Sequence, residues 1–140
     1  GADKKAGRVA AEGTIAIAVS DDKKTAMIAE VNCETDFVAM GDEFKAFAHE
    51  IAALALANDT TDIETIMNLE MASGKTVDTT RREMVARIGE NMGLRMIQKM
   101  ESNGLIGQYQ HGAKIGVVVA LDGGDDALAR DIAMHIAARN

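Results

Sequence analysis

A chain of 140 residues with 47% hydrophobic side chains can bury one domain or two small subdomains, but with only 3% aromatics its core must rest on Ala, Ile, Val and nine Met. A net charge of -7, with basic residues scattered apart from Lys4-Lys5, Lys23-Lys24 and Arg81-Arg82, argues against a nucleic-acid surface, which needs clustered cations. Those pairs read as solubilising surface. Cys33 is alone, so an intrachain disulfide is excluded and a reducing compartment fits. No signal peptide, lipidation motif or apolar run near 18 residues is present, so the expectation is a soluble, cytoplasmic protein.

In chain order, strands are predicted over 13–20 and 25–33, joined by a turn at Asp21-Asp22-Lys23-Lys24. Met27, Ala29 and Val31 alternate with less apolar neighbours, the period of a half-buried strand. A helix is predicted over 42–57, where Phe44, Phe47, Ala48, Ile51, Leu54 and Ala55 recur at helical spacing. Two further helices, 62–72 and 80–92, open on Thr61…Glu64 and Thr80…Glu83, both with capping-box spacing. Ser73-Gly74-Lys75 links them as a flexible loop. The second carries Met84, Val85, Ile88 and Met92 on one face and should end near Gly93, before a third strand over 94–101.

The rest of the chain echoes its start. Glu12-Gly13-Thr14-Ile15-Ala16-Ile17 returns as Asn103-Gly104-Leu105-Ile106-Gly107-Gln108, and Phe47-Ala48-His49-Glu50-Ile51-Ala52-Ala53 as Ile132-Ala133-Met134-His135-Ile136-Ala137-Ala138. Strands 104–111 and 114–122, turning at His111-Gly112-Ala113-Lys114, and a helix over 125–138 therefore form a second unit. The expected fold is α+β: two repeated units of small antiparallel sheet with helices packed on one face, the first over 1–102 and a partial second over 103–140 lacking its last strand. Such a sheet would leave an open edge for a neighbouring chain or a complementing fragment to cover.

The two units differ at one corner. Between second strand and helix, the second unit has little more than Gly123-Gly124, whereas the first has Cys33 to Gly41, about five residues more by the alignment of Val31 with Leu121. The longer corner is not needed to close the unit, and it holds Asp36 and Phe37, one of only three Phe. Either Thr35 or Asp36 caps the next helix while Phe37 drops into the core, or the acid and the aromatic project toward a partner.

Ile88 and Gly89 read on their own as a core isoleucine and a helix-terminating glycine. His111 reads as an exposed turn residue, and Tyr109 as packing on its own sheet. His49 and His135 share no metal-ligand spacing with Cys33. Cys33 beside Glu34 gains no thiolate stabilisation. No phosphate loop is present, so no nucleotide, metal or other cofactor is expected on this chain, and no enzyme activity.

The stretch Val31-Asn32-Cys33-Glu34-Thr35-Asp36-Phe37-Val38-Ala39 resembles the most characteristic segment of the elongation factor Ts family. Further stretches match that family in order: Lys4-Lys5-Ala6-Gly7 with Ala10-Ala11-Glu12-Gly13, Ile88-Gly89-Glu90-Asn91, and Tyr109-Gln110-His111-Gly112 with Met134-His135-Ile136-Ala137-Ala138. The resemblance implies a guanine-nucleotide exchange factor for elongation factor Tu. It implies that Phe37 enters an apolar pocket between helices of the GTPase domain near the nucleotide's Mg²⁺, with Asp36 bonding polar groups of those helices. It further implies that Ile88 flanks the wedge, that Gly89 lets the partner's backbone approach, and that His111 meets a separate β-domain of the partner. Measured against the family, the chain reads as the front of a core region, without the small helical domain that precedes Lys4 and without the later helical hairpin. A rival expectation is a scaffold that binds elongation factor Tu, or a second copy of itself, without stimulating exchange.

Overall fold

The computed structural model describes residues 9–102, 106–111 and 114–119. The first sheet has three antiparallel strands in the order β1-β2-β3: β1 (Glu12–Val19), β2 (Thr25–Cys33) and β3 (Gly93–Glu101). Between β2 and β3 run four helices: α1 (Asp36–Ala39), α2 (Asp42–Ala57), α3 (Ile63–Met67) and α4 (Val77–Ile88). β4 (Ile106–His111) and β5 (Lys114–Val119) pair with each other as an antiparallel hairpin. The architecture is α+β, as the pattern predicts. The helix expected over 125–138, the Gly123-Gly124 corner and His135 lie outside the described residues.

Strand alternation sorts the side chains into two layers. Ala16 from β1 and Met27, Ala29, Val31 and Cys33 from β2 point to the helical side, where they meet Phe44, Phe47, Ala48, Ile51, Ala52 and Ala55 of α2. Residues of the other parity, Ile15, Ile17 and Val19 with Ala26 and Ile28, face away and pack with Met100 and Ile106. The second hairpin therefore begins beneath the face that the helices leave bare. Its approach is fixed by Ser102 N–H to the Lys24 carbonyl at 2.9 Å and Ile106 N–H to the Lys23 carbonyl at 3.1 Å.

One irregularity keeps β3 in phase with this sorting. Glu30 pairs with Met96 and Val31 with Leu94, so Arg95 is the extra residue of a bulge. Leu94 and Ile97, an odd number of positions apart, thereby both pack on the helical layer.

The helix limits differ from those predicted over 62–72 and 80–92. α3 is capped by Asp62, whose carboxylate accepts from Thr65 N–H at 3.0 Å, and not by Thr61. It stops at Met67 because the chain turns to bury Ile66 and Met71 and to close a bridge between Glu70 and Thr76. α4 starts three residues before the predicted limit: Thr76 Oγ1 accepts from Thr79 N–H at 3.1 Å, which lets Val77 drop fully into the core. Thr80, inside the helix, spends its hydroxyl on the Thr76 carbonyl instead of on a cap. The helix ends at Gly89, in the left-handed region at φ 88°, and not near Gly93.

The candidate partner-binding corner

β2 ends at Cys33, which is fully buried, and two residues later the chain starts a one-turn helix. Thr35 is in extended geometry (φ -123°, ψ 151°) and its hydroxyl oxygen accepts from Val38 N–H at 3.3 Å. The Cys33 thiol donates to the Thr35 carbonyl at 3.2 Å. This cap decides which way each residue of α1 points. Ala39 is buried and Val38 packs on the core, so Phe37 and Met40 turn outward. Phe37 is 86% exposed and Met40 56%; Asp36 is exposed beside them. Of the two alternatives for the corner, Thr35 does cap the helix, but Phe37 does not enter the core. An offset of three residues sets Phe37 and Met40 on one side of the turn, and Met40 was not singled out from sequence.

A second segment clasps this corner. The Glu90 carboxylate accepts the backbone N–H groups of Glu34 and Thr35 through Oε1, each at 3.0 Å, and the Thr35 hydroxyl through Oε2 at 2.7 Å. In return, the Glu34 carboxylate accepts from Asn91 N–H. Each acid thus satisfies backbone donors of the other segment, across more than 50 residues of chain. Neither acid stood out from sequence. Both lie within the quoted family stretches, but spacing gives no hint that those stretches touch.

Ile88 is half-buried and packs against the helical core, and Gly89 ends α4, so both fill the ordinary roles open to them. The clasp follows directly after them: Glu90, next to Gly89, bonds Thr35, next to Asp36. His111 lies elsewhere, as the last residue of β4, its backbone opposite Lys114. His49 is exposed on α2. Burial, reinforced by the negative charge of Glu90, pushes the Cys33 thiol up to about 11. Such a thiol is a packing residue, not a nucleophile. Among the described residues no group of three or more His, Cys, Asp or Glu is placed to hold a metal, and no helix is long and apolar enough to cross a membrane.

These features define a small α+β module whose most exposed large apolar side chain, among the described residues, stands on a capped and clasped corner. A family model described as elongation factor TS matches residues 34–140, starting at that corner. The chain belongs to the elongation factor Ts family. It is 69% identical over all 140 residues to elongation factor Ts of Hydrogenovibrio crunogenus, covering 48% of that protein. It is 56% identical over 138 residues to that of Methylococcus capsulatus and 54% over 137 to those of Legionella pneumophila strains, covering 98% of this chain and 47% of each relative. The chain spans about half the length of the curated relatives it matches.

Proposed function

We propose that this chain promotes GDP release from elongation factor Tu in translation elongation by inserting the Asp36-Phe37 corner near the GTPase's Mg²⁺ site. The observation that carries the reading is the 86% exposure of Phe37 on a corner that caps and carboxylates hold in place. An aromatic ring kept in water by a rigid scaffold gains most when a partner's pocket desolvates it. Burying a Phe side chain contributes about 1.5–3 kcal/mol, and each 1.4 kcal/mol is about tenfold in an equilibrium. The wedge alone thus accounts for one to two decades, and the rest of the interface supplies anchoring.

Asp36, exposed and beside the ring, would accept hydrogen bonds from the helices that open around Phe37. Ile88 would flank the wedge, Gly89 would let the partner's backbone approach, and His111 would touch a separate surface of the same partner. Exchange would run by mutual weakening: whatever the corner does to nucleotide affinity, the nucleotide does to the affinity for the corner.

The test is release of a fluorescent GDP analogue from elongation factor Tu. Adding the chain should accelerate release, and Phe37→Ala should remove most of the acceleration. Equal rates with and without the chain would reject the reading. Acceleration that survives Phe37→Ala would reject the role of the wedge.

A further inference from the structure

We propose that Glu90 is a positioning residue that aims the Phe37 corner, with Glu34 closing the same clasp from the opposite side. This rests on the reading of Phe37 as a wedge and names what holds the wedge in register.

The residues between the end of β2 and the start of α1 are Glu34 and Thr35 alone. Their backbone N–H groups both converge on a single carboxylate oxygen, Oε1 of Glu90, while the other oxygen takes the hydroxyl that caps α1. Three of the bonds that orient the corner therefore end on one side chain. That side chain begins immediately beyond Gly89, whose left-handed backbone turns the chain out of α4. The return bond, Asn91 N–H to the Glu34 carboxylate, keeps the receiving segment from swinging away. Thr35 is exposed, and Glu34, Glu90 and Asn91 are only half-buried. The hydrophobic core is complete without them. A surface clasp of this kind adds little to global stability, because water can replace its bonds. What it supplies is direction, since a wedge ordered beforehand avoids the entropy cost of ordering on binding.

The geometry also says which substitution should rescue. Glutamine keeps a carbonyl oxygen in the place of Oε1 to accept both N–H groups, and its amide nitrogen can donate to the Thr35 hydroxyl. Alanine keeps none of these contacts.

The experiment uses the 140-residue chain with elongation factor Tu loaded with a fluorescent GDP analogue, and hydrogen exchange on the free chain. Glu90→Ala should leave the melting temperature nearly unchanged, speed amide exchange at Glu34 and Thr35, and lower stimulated GDP release about tenfold. Glu90→Gln should restore most of both. Combined with Phe37→Ala, Glu90→Ala should cost nothing further, because it acts through the ring. The proposal is overturned if Glu90→Ala releases GDP like the parent, if the two losses simply add, or if Glu90→Gln is as defective as Glu90→Ala, which would mark a direct charge contact. Should Glu90→Ala fail to fold, Glu34→Ala cuts the clasp from the other side. A smaller defect of the same kind would then support the proposal, and none would overturn it. If Phe37→Ala leaves release at the parent rate, the wedge reading itself fails, and the exchange of the two amides still decides whether Glu90 holds the corner.

Discussion

Cys33 is fully buried, and Phe37, only four positions on, is 86% exposed. Thr35 lies midway and makes the reversal: its carbonyl accepts a hydrogen bond from the Cys33 thiol and its hydroxyl oxygen accepts one from Val38 N–H. The chain crosses from core to solvent within one helical turn because β2 and α1 meet there with no loop between them to spare.

Phe37 therefore contributes little to stability. Phe37→Ala should shift urea unfolding by no more than about 0.5 kcal/mol, the range of surface substitutions, while on the proposed function it should weaken binding to elongation factor Tu by one to two decades. Met40→Ala, from a side chain 56% exposed on the same side of the turn, should weaken binding less. Calorimetric titration of both variants checks the order.

Thr35 should matter to the fold in a way that Phe37 does not. Thr35→Ala removes the cap of α1 and the hydroxyl held by Glu90. The expected loss is about 1 kcal/mol, with recovery in Thr35→Ser, which keeps the hydroxyl. Denaturant midpoints of the three proteins measure it.

Gly89 stands at φ 88°, a region where a Cβ is strained. Gly89→Ala should cost about 1–2 kcal/mol, and it should also loosen the clasp that begins at the next residue. A Gly89→Ala protein with an unshifted urea midpoint would contradict the backbone argument.

Cys33 gives a pH dependence of definite sign. Its thiol is raised from 9.0 to about 11, first by burial and then by the charge of Glu90. A group whose folded pKa lies above its unfolded value stabilises fully below the unfolded pKa and loses that contribution as pH rises toward the folded one. Stability should therefore fall between about pH 9 and pH 11, and the fall should be shallower in Cys33→Ala. Below this range, a thiol reagent should react only after unfolding.

The sheet, the long helix and the corner were legible in the residues. Met27, Ala29 and Val31 alternate because a strand turns its side chains to opposite faces, and Phe44, Phe47, Ile51 and Ala55 recur because one stripe of α2 meets that sheet. Helix ends were less legible. Capping-box spacing points to Thr61 and Thr80, whereas Asp62 and Thr76 make the caps in the fold, with Ile66 and Val77 fully buried behind them. Gly89 and Gly93 both offer a stop, and the need to bury Met92 outside the helix selects the first.

The amino-acid order by itself determined the α+β class, the strands and main helix, the family and the corner that carries Asp36 and Phe37, because these depend on periodicity and on residues adjacent in the chain. Only the tertiary structure decided that Phe37 faces water, that Ile106 covers the far side of the sheet, and that Glu34 and Glu90 clasp one another. Those outcomes depend on which distant segments meet once the apolar layers are stacked, and no local pattern encodes a hydrogen bond between positions 35 and 90.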